Sequence, residues 1–214
     1  MPDWFHGKKK QTMQEVKKVV VMGPESTGKS TLCRLLAKHY HTIWCPEYAR
    51  KYLLANGKNY TYPDLLTIAK GQIELEDEYI ERVNDEWLTT NNGEASHQLM
   101  DNDQQTATYH PLLFVDTDMY VMKVWCEYVF NQCHHFILDK IVERKCNLYL
   151  LCNIDLPWVK DELREYPDPK SRKELYEIYE DVLINQTVPW VNLSGDYEDR
   201  LNTAIKAVDT LLTS

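Results

Sequence analysis

Nowhere does the 214-residue sequence run through the ~18 consecutive apolar residues that would span a bilayer. The first sixteen residues, despite Trp4 and Phe5, hold no apolar stretch of secretory length. A cytoplasmic protein with no membrane partner is expected. Six cysteines, at 33, 45, 126, 133, 146 and 152, form no C-x-x-C pair and have no histidine at zinc-finger spacing. That pattern argues against a structural metal or a dithiol redox centre and leaves reduced, mostly buried thiols. Basic residues are in deficit, 24 Lys and Arg against 33 Asp and Glu, for a net charge of −9. This balance disfavours a polyanion such as DNA or RNA, whereas a small phosphate ligand needs only a few local cations. Repeats and long low-complexity tracts are also missing, so a single domain over 17–214 behind a tail of 1–16 is expected. No signal sets an oligomeric state.

What the sequence does contain is Lys18-Val19-Val20-Val21-Met22 running into Gly23-Pro24-Glu25-Ser26-Thr27-Gly28-Lys29-Ser30-Thr31, an apolar strand feeding G-x-x-x-x-G-K-S. The chemistry of phosphate binding requires each part. A β-branched strand delivers the loop, glycines let the backbone curl, and a helix starting at once presents unpaired N–H groups to the anion. That helix is expected over Ser30–Tyr40, with Leu32, Leu35 and Leu36 inward. Backbone N–H groups from Glu25 to Ser30 then surround the β-phosphate, Lys29 bridges β- and γ-oxygens, and the Ser30 hydroxyl holds Mg²⁺. Gly23 and Glu25 through Thr31 are the expected nucleotide-binding residues, with ATP and Mg²⁺ as cofactors.

Further along, strands and helices alternate. Strands are expected over Thr42–Cys45, Pro111–Asp116, Asn147–Asn153 and Val188–Leu193, and helices over 64–88, Met119–Phe130 and Tyr197–Leu212. The acids at Glu74, Glu76, Asp77, Glu78 and Glu81 read as a solvated helix face. The polar stretch Thr89–His110 reads as an exposed insertion. Five strands joined by helices imply an α/β, three-layer fold on a parallel sheet, whose ligands sit beyond the carboxyl ends of the strands.

Strand-end polar residues are therefore the site candidates. Phosphoryl transfer to an alcohol uses a carboxylate to take the proton, a second to order Mg²⁺ or its waters, and cations on the phosphoryl oxygens. Glu47 is placed as the base and Asp116, at the end of an apolar strand, as the metal-side acid, with the two roles interchangeable. Asp118 is left to bind sugar hydroxyls. The alternatives are a helix N-terminal acid for Glu47 and a turn or cap residue for Asp116. Trp44, Tyr48, Tyr120 and Trp125 lie near strand ends, and Trp125 is the preferred surface for a flat cationic ring. Gln72 is a candidate hydrogen-bonding group for a base or carboxamide.

The ordered motifs GPESTGKST, PEYAR, AKGQ (Ala69–Gln72), FVDTD (Phe114–Asp118) and DLPWVKDELR (Asp155–Arg164) resemble the NadR-type ribosylnicotinamide kinase family of P-loop kinases. The resemblance runs from Lys17 to Leu212. It implies an adenylate-kinase-like sheet with a lid at about 155–172, and ATP-dependent phosphorylation of the 5′-hydroxyl of nicotinamide riboside to nicotinamide mononucleotide. Lys29 and Ser30 match the family's phosphate and magnesium contacts, and Glu47, Arg50, Asp116 and Asp118 fall on its substrate side. Arg164 lies in the lid segment, and with Arg172 it is expected to bring positive charge to the transition state. Family members often carry DNA-binding and adenylyltransferase modules upstream. Here about sixteen residues precede the first strand and no H-x-G-H motif occurs, so adenylylation and gene regulation are expected to be absent. Two other readings stay open: a kinase for another nucleoside or small alcohol, and a nucleotide-dependent regulatory ATPase.

Overall fold

A computed structural model describes residues 15–91 and 111–213. Twelve elements follow one another: β1 (Lys17–Met22), α1 (Lys29–His39), β2 (Trp44–Cys45), α2 (Tyr48–Asn56), α3 (Tyr62–Asn91), β3 (Leu112–Asp116), α4 (Met119–Phe130), α5 (His135–Glu143), β4 (Leu148–Cys152), α6 (Pro169–Ile184), β5 (Trp190–Leu193) and α7 (Tyr197–Thr213). The strands form one sheet in the order β2-β3-β1-β4-β5, every pair parallel. This is the P-loop kinase fold.

The central strands β1, β3 and β4 are buried on both faces, so they read as nearly continuous apolar runs instead of alternating with polar residues. Val19, Val21, Leu112, Phe114, Leu148 and Leu150 point one way, onto Leu32 and Leu36 of α1 and Ala204 and Val208 of α7. Val20, Met22, Leu113, Val115, Tyr149 and Leu151 point the other way, onto Val83 of α3, Val121 and Val124 of α4, and Leu175, Tyr179 and Leu183 of α6. A third apolar cluster joins Ala49 of α2, Leu65, Ile68 and Ala69 of α3, Met119 and Met122 of α4, and Ile137 of α5. Among the described residues no helix is long and apolar enough to cross a membrane.

Several boundaries differ from the sequence reading. β2 holds only Trp44 and Cys45, while Thr42 Oγ1 donates to Leu112 O at 2.6 Å and ties the chain to β3 before ladder pairing begins. α3 starts at Tyr62, where Asp64 Oδ2 accepts from both the backbone N and the hydroxyl of Thr61, and it runs on through Asn91. Residues 89–91 are thus helix, and the rest of the expected insertion, 92–110, lies outside the described residues. Glu76 departs from the solvated face expected of it. It is 2% exposed and accepts from Lys18 Nζ at 2.7 Å and Arg144 Nη2 at 3.0 Å. A lysine buried in β1 needs a counter-charge, because an unpaired charge in the interior is costly.

Candidate active site

The phosphate loop is shaped by backbone constraints that its residues satisfy. At Gly23 φ is +136°, and a Cβ there would lie 2.7 Å from Cys152 O. Gly28, at φ +85°, sits just before α1 and provides no side-chain cap, so the first N–H groups of the helix remain available to an anion. Thr27 Oγ1 donates to Pro24 O at 2.8 Å and closes the loop internally. Lys29 Nζ donates to Gly23 O and Pro24 O, both at 2.9 Å, which lays the ammonium over the loop.

Arg200, which the sequence reading missed, holds this loop from behind. It is 2% exposed. Its guanidinium donates to Thr27 O at 2.8 Å, Gly195 O at 2.9 Å and Asn153 O at 3.1 Å, and pairs with Asp155. One planar cation therefore ties the loop to the ends of β4 and β5. A signal was present in the sequence: Arg200, Ala204 and Val208 recur every four residues, so an arginine occupies the buried stripe of α7.

Sheet register brings the acid to the loop. Val21 pairs with Asp116, so the carboxylate emerges where β1 turns into the glycine loop, and Ser30 Oγ donates to Asp116 Oδ2. Asp116 is 1% exposed. Burial raises its carboxyl above the ordinary range, opposed by Lys29 and the Ser30 hydrogen bond. Its other oxygen, Oδ1, is buried without a partner among the described residues. Among the described residues no group of three His, Cys, Asp or Glu side chains surrounds a metal position. A hydroxyl beside a half-used carboxylate fits Mg²⁺, which keeps waters and takes its remaining oxygens from phosphates.

Glu47 ends the segment after β2 and precedes α2, without capping it. It faces the same space. Burial pushes its carboxyl up to about 7, the Asp116 charge adds to the rise, and Lys29 opposes it. Two acids and one ammonium thus share one electrostatic environment, and there the two acids do not ionise independently.

A cavity of about 400 Å³ opens on the phosphate loop, with Lys29, and on Glu47. Gly23 through Thr31, Glu47, Arg50 and Arg164 line it, with an aromatic wall of Tyr60, Trp125, Tyr128, Tyr166 and Tyr179. Trp125 is the one aromatic candidate from the sequence found there. Its indole Nε1 donates to Tyr60 OH at 2.9 Å, and the rings meet edge to face at 4.9 Å. Trp44 packs toward α1 instead, the Tyr48 ring lies against Gly71, and Tyr120 meets Tyr149 edge to face at 5.9 Å.

The loop 153–168 covers the phosphate loop. Val159 N donates to Ser26 Oγ at 2.7 Å, and Arg164 Nη1 reaches the same oxygen at 3.2 Å. Glu165 N and Tyr166 N donate to Glu25 Oε2 at 2.8 and 3.2 Å. Arg50 forms a two-pronged pair with Asp161, 3.1 Å on each prong. Two side chains of the phosphate loop and one arginine of α2 therefore hold the loop 153–168.

Three expected ligand contacts are corrected. Both oxygens of Asp118 are already used, Oδ1 accepting from Tyr120 N and Val121 N and Oδ2 from Tyr149 OH. It caps α4 and does not line the cavity. Gln72 is 1% exposed and braces the start of α2 by accepting from Tyr48 N at 2.7 Å, away from the cavity. Arg172 lies in the first turns of α6, not in the lid loop. It is buried and donates to Leu156 O at 3.1 Å. In each case a backbone partner inside the fold took the polar group that the sequence assigned to a ligand.

The chain is similar to known proteins in sequence and in fold. A family model described as an AAA domain matches residues 18–200. The trifunctional NAD biosynthesis/regulator protein NadR of Escherichia coli (strain K12) is 25% identical over 202 residues, 92% of this chain and 43% of that protein. The chain thus spans less than half the length of this relative. A crystal structure of NadR protein in complex with NR superposes with a TM-score of 0.67 at 23% identity, covering 94% of this chain and 52% of the other. Thymidylate kinase from Ehrlichia chaffeensis gives a TM-score of 0.57 at 11% identity over 90% and 98% of the two chains.

Proposed function

The chain belongs to the AAA domain family, and from that premise we propose that it transfers the γ-phosphoryl group of ATP to the 5′-hydroxyl of nicotinamide riboside, yielding nicotinamide mononucleotide and ADP. One observation carries this reading: a single cavity is lined by the phosphate loop with Lys29 and by Glu47 beside an aromatic wall. A protein that only senses a nucleotide has no need of an acceptor chamber furnished with an acid.

The acceptor oxygen attacks the γ-phosphorus as the bond from that phosphorus to the bridging oxygen of ADP breaks. The alcohol proton passes to a carboxylate, Glu47 in the preferred assignment. Its raised pKa suits a group that must accept a proton near neutrality. Lys29 and Arg164 neutralise the oxygens of the transferring group. Ser30 and Asp116 would hold Mg²⁺, which when bound offsets phosphate charge. The lid excludes water that would otherwise compete with the alcohol.

Acceptor chemistry follows from the wall. A pyridinium ring gains from the negative face of an aromatic side chain, and Trp125 is fixed for this by its hydrogen bond to Tyr60. The acid at Glu47, which lines the cavity, favours a cationic acceptor over an anionic one when ionised. Similarity to a trifunctional NAD biosynthesis/regulator protein and to NadR in complex with NR supports the same substrate class.

The test is a panel of acceptors with ATP and Mg²⁺: nicotinamide riboside, other nucleosides, small alcohols and no acceptor. ADP release stimulated by nicotinamide riboside above every other acceptor is expected. Stimulation by a different nucleoside alone moves the assignment to that substrate, and acceptor-independent hydrolysis alone makes the protein a nucleotide-dependent ATPase.

A further inference from the structure

Between Asp116 and Asp118, Thr117 holds a conformation that its side chain disfavours. Its φ is +104°, a region where a β-branched residue clashes with its own backbone and which glycine occupies freely. The residue is 1% exposed. Its hydroxyl Oγ1 has no hydrogen-bond partner among the described residues, yet the residue lines the cavity. The backbone strain and the unpaired buried hydroxyl both work against folding. Valine would fill the same volume without the second cost, and glycine would relieve the first.

The flanking residues explain how the geometry is maintained. Asp116 is drawn toward Ser30, and Asp118 is pinned by Tyr120 N, Val121 N and Tyr149 OH. The single residue between these anchors turns sharply, and it lines the cavity that the phosphate loop shares with Glu47. Strain of this kind concentrates where a side chain must be aimed at a ligand.

We infer that Thr117 Oγ1 is a specificity-determining contact to a sugar hydroxyl of the acceptor, the contact expected of Asp118, whose oxygens instead cap α4 and accept from Tyr149 OH. The inference rests on the proposed kinase reading and adds to it the group that recognises the sugar. A ribose hydroxyl both donates and accepts, so it satisfies a threonine hydroxyl whichever way that hydroxyl points. A deoxy sugar leaves the threonine unpaired, the situation that gives a hydrogen-bonding site its discrimination.

Steady-state kinetics of the full chain with ATP, Mg²⁺ and nicotinamide riboside or its 2′-deoxy and 3′-deoxy analogues provide the test. The wild type should lose roughly 10-fold or more in kcat/KM for at least one deoxy analogue. Thr117→Val should lose a similar factor with the intact riboside, keep the KM for ATP within about 2-fold, and no longer distinguish the deoxy analogue. Thr117→Ser, which keeps the hydroxyl, should stay near wild type. Thr117→Ala deletes the same hydroxyl and is read identically if the valine variant does not fold. Retained discrimination in Thr117→Val or Thr117→Ala, or equal impairment of Thr117→Ser with a parallel rise in the KM for ATP, would overturn the inference while leaving the kinase reading intact. No acceptor-dependent turnover by the wild type with any nucleoside would overturn both.

Discussion

Ser30 and Asp116 meet across the junction of β1 and β3, the serine hydroxyl donating to a carboxylate that the Val21–Asp116 register delivers to the mouth of the phosphate loop. Eighty-six residues separate them in sequence. Ser30 lines the same cavity as Glu47, and the consequences for activity and stability can be measured.

For Glu47→Gln, turnover should fall by roughly 10²–10⁴-fold while ATP affinity changes little, because the substitution removes a proton acceptor and leaves the phosphate contacts in place. In the free wild-type enzyme kcat/KM should rise with pH through about 7, as the carboxyl ionises. A flat profile below neutrality would remove Glu47 as the base.

The same group affects stability with a defined sign. Its carboxyl is raised from 4.5 to about 7 in the fold, so folding favours the protonated form. The stability this group contributes is fully present below pH 4.5 and is lost as pH rises through about 7. Glu47→Gln cannot ionise, and by chemical denaturation at pH 8 it should be more stable than wild type by about 1–3 kcal/mol. At pH 4 the difference should largely vanish.

Arg200→Met should cost about 2–4 kcal/mol, since the carbonyls of Thr27, Gly195 and Asn153 lose a shared donor. ATP affinity should weaken as well, because one of those carbonyls belongs to the phosphate loop. Thermal shift with and without ATP reads both effects.

Glu76→Ala strips Lys18 and Arg144 of their buried partner and should destabilise by about 3–5 kcal/mol. The pair lies outside the cavity, so kcat of the folded fraction should stay near wild type. A variant that is stable but inactive would contradict the structural role assigned to this pair.

What was legible in the sequence was whatever the backbone itself demands. The phosphate loop reads from its glycines because Gly23 leaves no room for a Cβ against Cys152. The expected helix Met119–Phe130 matches α4, whose start Asp118 caps and whose close is the left-handed Asn131. α2 was not recognised, since its buried face is only Ala49 and Leu53 and no side chain caps it. Polar residues were harder still. Gln72, Asp118 and Arg172 look like ligand contacts in a linear reading, and only tertiary packing decides that Tyr48 N, Tyr149 OH and Leu156 O claim them first. Arg200 is the converse, a cation on an apolar stripe that could be mistaken for a solvated residue.

The most direct measurement follows labelled phosphate from γ-³²P-ATP in the presence of nicotinamide riboside and Mg²⁺. Label recovered in nicotinamide mononucleotide, abolished by Lys29→Ala, is the result the account predicts. Label recovered only as inorganic phosphate, at a rate indifferent to the riboside, would contradict it.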